Sequence, residues 1–280
     1  MIQIITDSTS DISVEEAAKL GVEIVPLTVR FGDESFVDGI SISNEDFFKR
    51  LREGDILPKT SQPAPFAFEE VYKKHLEKGD EIISIHISSA LSGTYHSACL
   101  AAEECDSDSI TVIDSLNATG GLGLLVRIAV KLRDEGKSYK EIADAIKGYI
   151  NRVMLFVAVD TLEYLKKGGR IKPSLAVVGE VLSLHPMLHV ANGEVEVPGK
   201  VIGDKAIIRW IDKKIAAVKP EPGLPVLVGH ASAPERAQAL FDKLSASGVN
   251  DLDDNFVKLG SVIGTYTGPG AVGAFYIAAE

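Results

Sequence analysis

Three short apolar stretches each break off at a pair of small polar residues, and this repeated ending constrains the fold most. Ile2 to Thr6 runs into Asp7-Ser8, Glu81 to Ile87 into Ser88-Ser89, and Ser109 to Ile113 into Asp114-Ser115. Each stretch is rich in isoleucine and is followed by a helical pattern: Val14 to Leu20, Thr94 to Glu104, and Thr119 to Glu135. Strands alternating with helices form a parallel sheet covered on its faces. In such a sheet the three endings share one side. Ligands sit there, beyond the carboxyl ends of the strands.

The rest of the chain fits the same class. Ser13 is a cap for the first helix. Val22 to Arg30 is extended, with Pro26 marking an edge or a bulge. Phe31 to Asp38 reads as an irregular turn or short hairpin. Asn44 is placed as the cap of a helix reaching about Arg52, and helices are expected over Pro65 to Lys78 and Ser138 to Asn151. Beyond Asn151 the pattern changes. Val153 to Asp160 is a strand, Leu162 to Lys167 a short helix, Gly168-Gly169-Arg170 a sharp turn, and Ser174 to Ser183 a helix. Asn192-Gly193 between two apolar runs signals a hairpin. Helices over Asp204 to Val218 and Pro234 to Ser245 alternate with strands over Leu224 to His230, Asn255 to Val262 and Gly273 to Ala278. The expected fold is α/β in two domains. Residues 1–150 form a parallel sheet flanked by helices, and residues 151–280 form a mixed sheet flanked by helices.

Composition excludes several functions. A net charge of -11 is wrong for a nucleic-acid surface, which needs a basic face. The chain opens straight into a strand without a basic and apolar leader, and no run of about 18 apolar residues exists, so neither a signal peptide nor integral membrane association is expected. Cys99 and Cys105 lie close together on one helix, in poor disulfide geometry, and read as free thiols of a cytoplasmic protein. None of the six histidines has metal-ligand spacing. Gly268, Gly270 and Gly273 form a formal G-x-G-x-x-G. That fingerprint must open a helix, whereas the residues after Gly273 read as a strand. The glycines serve positive φ and close backbone approach instead. No metal and no cofactor is expected.

Two hydroxyl-rich stretches remain. Thr60-Ser61-Gln62-Pro63 lies between Pro58 and Pro65, which stiffen it; the same residues could equally cap the helix after Pro65. Ser88 to Tyr95 (SSALSGTY) joins a strand to a helix, where free N–H groups and the positive end of the helix dipole make an anion site. Ser92 as a nucleophile fits poorly. Ala90 stands where G-x-S-x-G needs glycine, and the base would have to be His86 or His96. Thr265, Tyr266 and Thr267 add hydroxyls. Lys166 to Arg170 reads as a helix end with favourable cations. These stretches suit holding an anion more than transforming one.

In order and spacing they resemble the DegV family, which includes the fatty-acid-binding subunits of bacterial fatty acid kinase. The resemblance runs nearly end to end, through Thr6-Asp7-Ser8, Thr60-Ser61-Gln62-Pro63, Leu91-Ser92-Gly93-Thr94-Tyr95, Asp114-Ser115, Leu165 to Ile171 and Gly264 to Gly270. It implies a long-chain fatty acid buried between two domains. Thr60 and Ser92 hold its carboxylate, with Ser61, Gly93, Thr265 and Tyr266 around it. Arg170 and Lys205 are expected beside the site or toward a partner. It further implies a lipid-binding protein with no catalytic residues of its own. A separate kinase, similar to dihydroxyacetone kinase, converts the bound carboxylate to acyl phosphate. The alternatives are a fatty-acid-binding regulatory or transport protein without a kinase, and a Ser92-dependent hydrolase. Two positions depart from the family's pattern. Tyr266 stands where histidine is usual, and Ile202 stands where arginine is frequent.

Overall fold

The computed structural model describes residues 1–175 and 183–280. The chain begins with β1 (Ile2–Asp7), α1 (Val14–Leu20) and β2 (Val22–Val25). Ser13 caps α1 by accepting the Glu16 N–H, as expected. The extended stretch from Val22 to Arg30 is divided at Pro26, which lacks the N–H a continuous ladder needs. β2 joins the main sheet, while β3 (Thr28–Phe31) joins a small antiparallel one. In that sheet β3 pairs with β4 (Glu34–Val37) and, after α2 (Asn44–Glu53), with β5 (Lys59–Ser61). The cap of α2 is Ser43, whose hydroxyl takes the Asp46 N–H. Asn44 is already helical, and its amide donates to the Leu259 carbonyl at 2.6 Å. A tertiary contact thus claims the side chain that local sequence assigned to capping.

After α3 (Pro65–Leu76), β6 (Glu81–His86), α4 (Thr94–Cys105) and β7 (Ile110–Asp114) complete a parallel sheet of order β2-β1-β6-β7. β1, β6 and β7 run parallel, so their polar endings do share one side. Ile4, Ile5, Ile82, Ile83 and Ile85 are wholly buried, on both faces of the sheet. Two-sided burial is why these strands read as continuous apolar runs. Each such side chain stabilises the fold by at most about 1.5–3 kcal/mol.

α5 (Thr119–Asp134) and α6 (Tyr139–Tyr149) lead into the second half. It contains β8 (Val153–Ala158), α7 (Glu163–Gly168), β9 (Leu184–Ala191), β10 (Glu194–Ile202) and α8 (Asp204–Ala217). β11 (Leu227–His230), α9 (Pro234–Ala246), β12 (Val257–Lys258), α10 (Ser261–Thr267) and β13 (Val272–Ile277) follow. The sheet here is mixed, of order β10-β9-β8-β13-β11-β12. The helix expected over Ser174 to Ser183 lies largely outside the described residues. The strand expected over Asn255 to Val262 shrinks to β12, because α10 takes the chain from Ser261. Two acids from the first half explain this. Asp11 accepts the Gly260 N–H at 2.8 Å and Asp38 accepts the Ser261 N–H at 3.0 Å. They satisfy the helix's first donors and complement its positive end.

α5 lies between the two sheets, touching β1 and β6 on one side and β8, β11 and β13 on the other. From Thr119 to Val130 only Arg127 escapes burial. Its glycines let both layers come close. A Cβ on Gly120 would stand 2.4 Å from the Phe275 ring, and one on Gly123 2.4 Å from the Ser10 carbonyl oxygen. One apolar cluster accordingly runs from Ile4 to Ile277 through this helix. Among the described residues no helix is long and apolar enough to cross a membrane, and no group of acids, histidines and cysteines is placed to hold a metal ion.

Candidate functional site

A pocket lies where the carboxyl side of the parallel sheet meets the face of the mixed sheet. It holds about 770 Å³ of space between atoms, its mouth included. Leu155 and Val157 of β8, Leu188 and Val190 of β9, and Val195 of β10 form one wall. They are alternate residues of neighbouring strands, so the pleat turns them to one face. Val262 and Ile263 of α10 and Leu27 also line the pocket. This wall carries no motif and was not foreseen. Its only trace in the sequence is a period of two.

The polar end gathers four side chains. Thr60 stands on β5, fixed by its ladder position opposite Val29 rather than by a free loop. Its hydroxyl oxygen lies 2.5 Å from that of Tyr266, which α10 presents. The Tyr266 ring packs where a Cβ on Gly168 would come within 2.5 Å, which explains the glycine ending α7. Arg170 lies over the ring, its guanidinium 5.0 Å from the ring centroid. Arg170 Nη1 donates to the Gly168 carbonyl at 2.7 Å, and Nε to the Leu91 carbonyl at 3.2 Å. The second contact ties it to the loop carrying Ser92. Among the described residues no carboxylate pairs with Arg170. Expected beside the site or toward a partner, it lines the pocket itself.

Ser92 also lines the pocket; its Oγ lies 2.8 Å from Thr94 Oγ1. Gly93 precedes the first turn of α4 and supports this loop rather than facing the pocket. A Cβ there would stand 2.1 Å from Gln62 Oε1, while Gln62 donates to Ser97 Oγ at 2.9 Å. The two hydroxyl stretches are therefore packed against each other. The capping alternative for the first is not realised, because the cap residue of α3 is Ala64, with no side-chain hydrogen bond.

Other expected residues are placed elsewhere. Ser61 is exposed beside Thr28 of β3 and off the pocket wall. Thr265 is buried and donates to the Ser261 carbonyl at 2.8 Å within α10. Lys205 lines a separate cleft with Asp160, His185, Ile202 and Arg236. Thr119 and Thr267 line the pocket instead, but their hydroxyls are engaged by Asp11 and by the Ile263 carbonyl. The glycines after α10 do take positive φ, 70° at Gly268 and 88° at Gly270. They admit the Tyr164 ring and the Asp160 carboxylate, contacts a Cβ would block.

Neither histidine named as a base for the hydrolase alternative pairs with Ser92, whose hydroxyl lies against Thr94. His86 is wholly buried, with Nδ1 3.1 Å from Asp7 Oδ2 and Nε2 2.6 Å from Ser84 Oγ. Tyr72 closes this network on Ser84 at 2.9 Å, and burial pushes its phenol well up. His96 is exposed on α4, against the Tyr95 ring. The acids at the strand endings hold loops rather than ligand. Asp7 accepts the Ile87 N–H at 3.0 Å, and Asp114 accepts the Leu116 N–H at 3.0 Å.

Known proteins share this whole architecture. The DegV family, described as one of uncharacterised proteins, matches residues 1–279. A DegV domain-containing protein of Clostridium perfringens is 35% identical over 276 residues, covering 99% of this chain and 98% of its own. A Thermus thermophilus structure, described as fatty acid binding of a DegV family protein, is 34% identical with a TM-score of 0.90, covering 99% of each chain. A Thermotoga maritima structure described as revealing a fatty acid binding function is 31% identical, with a TM-score of 0.86 and 99% coverage of both chains. With its motifs, fold and full length all matched, the chain belongs to the DegV family.

Proposed function

We propose that the protein binds a long-chain fatty acid in this pocket. Its carboxylate meets Thr60, Ser92, Tyr266 and Arg170, and its chain lies against the β8–β10 wall. The observation that carries this is segregation. The walls are apolar, while three hydroxyls and a guanidinium without an acidic partner among the described residues gather at one end. The fatty-acid-binding relatives support it. About 14 methylenes removed from water contribute roughly 11 kcal/mol gross, from which association and ordering subtract several kcal/mol or more. Charge-assisted hydrogen bonds add about 1.5–3 kcal/mol each. The tail thus supplies most of the affinity and the polar end sets direction, since a buried carboxylate left unpaired would be costly. Ser61, Gly93 and Thr265 shape the elements around the head group. Residues 1–150 and 151–280 act as two domains that the ligand spans.

In this reading the protein is a carrier without chemistry of its own. A partner kinase would act at the exposed Arg170 end. Tyr266 and the exposed Ile202 beside Lys205 favour the alternative of a carrier or regulator with no kinase. Lipid extracted from denatured protein and weighed by mass spectrometry tests the proposal. Fatty acid of roughly C14 to C18 is expected. No extractable lipid, together with no binding of added palmitate, would overturn it.

A further inference from the structure

Among the described residues, the β9–β10 hairpin is joined by strand pairing to the rest of its sheet only near its base. Its ladder with β8 consists of Val157↔Leu188 and Ala158↔Met187, with Val159 N–H donating to the Pro186 carbonyl. Beyond Leu188 the two strands, among the described residues, form ladders only with each other, though His189 holds to β8 through Nδ1 against the Leu155 carbonyl at 2.9 Å and a ring stacked on Phe156 at 5.2 Å. At the same level β10 carries a bulge, its register shifting between Glu196 and Gly199. A bulge bends a strand and interrupts its ladder. The outer part, His189 to Glu196, is thus a two-stranded ribbon with an irregular base, and its Val190 and Val195 line the pocket.

The tip of this ribbon is seated on the first half of the molecule. Ser88, wholly buried, donates its hydroxyl to the Gly193 carbonyl at 2.8 Å. Gly193 sits at φ 82°, and a Cβ on it would stand 2.5 Å from Ser88 Oγ. The exposed ion pair of Lys172 with Glu194 adds little. Ser88 also shapes the loop that carries Ser92. Its carbonyl accepts the N–H groups of Leu91 and Ser92 at 3.0 and 3.1 Å, and its Oγ accepts the Ala90 N–H at 3.2 Å. One residue therefore bonds both the loop carrying Ser92 and the tip of the ribbon that bears Val190 and Val195.

We propose that His189 to Glu196 form a flap that opens to admit the ligand, and that Ser88 is the positioning residue that seats it. The proposal rests on the fatty-acid reading for what is admitted, but the opening itself is measurable without a ligand. Two other elements lining the pocket are held more firmly: β8 is paired on both sides and α5 is buried between two sheets.

The test is the rate at which a thiol reagent labels Val190→Cys, in protein with Cys99 and Cys105 changed to alanine. Ser88→Ala should speed labelling roughly five- to tenfold, the effect of one buried hydrogen bond. Gly193→Ala, which pushes the tip off from the opposite side, should do the same and serves if Ser88→Ala fails to fold. Glu194→Ala should change the rate less than about twofold. A reporter at Ala274→Cys, on the central strand β13, should label at an unchanged rate. Equal Val190→Cys labelling with and without the latch, or equal acceleration at Ala274→Cys, would overturn the flap. Labelled palmitate should leave Ser88→Ala faster by a similar factor. Faster thiol labelling in a protein that binds no palmitate would uphold the flap and overturn the fatty-acid reading.

Discussion

The polar end of the pocket takes one side chain from each of four separate segments, whereas the apolar wall takes five from three adjacent strands. The first demands local devices at every contributor. Thr60 needs its ladder with Val29, Tyr266 needs Gly168 beside its ring, and the Ser92 loop needs Gly93 under Gln62. The second needs only that every other residue of β8, β9 and β10 be aliphatic. If the pocket takes a fatty acid as proposed, direction would be set by scattered, individually exacting residues, and affinity by ordinary ones that tolerate exchange for others of similar size.

The hardest break of that contrast is a charge in the wall. Val157→Asp puts a carboxylate against the acyl chain and should weaken palmitate binding by more than about 100-fold. Thermal melts separate this from loss of fold. Affinity within tenfold of wild type would move the chain to another wall. At the polar end the effect should be smaller and head-group-specific. Thr60→Ala and Ser92→Ala should each lower fatty-acid affinity by roughly tenfold, while affinity for the matching fatty alcohol changes far less. Equal losses for acid and alcohol would show that these hydroxyls shape the pocket and do not read charge.

Tyr266 sharpens the comparison further. A tyrosine hydroxyl offers a neutral hydrogen bond, whereas a histidine gains charge on the acid side of about pH 6.5. Wild-type affinity should run flat from about pH 5.5 to 8. Tyr266→His should bind up to about tenfold more tightly at the acid end. A step already present in the wild type would remove Tyr266 from the head group. The smallest effect is expected behind the wall, at Asp11, one hydrogen bond from the pocket residue Thr119. Burial, foremost, lifts its carboxyl well above the usual range. The folded state therefore holds this proton to higher pH than the unfolded chain. Ionisation above the raised value costs stability, and the cost vanishes as pH falls toward the unfolded value near 3.8. Asp11→Asn should melt about 2–4 °C higher than wild type at pH 7, with the gap closing near pH 4. A gap that widens on acidification would reverse the sign.

How much of this was legible follows the same division. The parallel sheet and the Asn192-Gly193 hairpin could be read, because each is written in neighbouring residues, whereas the joint placing of Thr60 and Ser92, which line one pocket, came only from the resemblance to a family. α10 could not be read. Its start depends on Asp11 and Asp38, acids far upstream, so the local pattern assigns no helix to Tyr266, which stands on one. Arg170 was legible as a cation near a helix end, but its place on the pocket wall depends on the Tyr266 ring and the Leu91 carbonyl. The wall itself was invisible, since valines and leucines at every second position look the same whether they face a core or a ligand.

The burial of α5 on both sides bears on how the molecule can be divided. A fragment ending at residue 150 would retain the helix and lose its cover from β8, β11 and β13. Gly120 would then turn bare backbone to water where the Phe275 ring now lies. The helix is in effect a shared spine. The two domains differ in their sheets, yet they share that one segment, and a cut at residue 150 uncovers one of its sides.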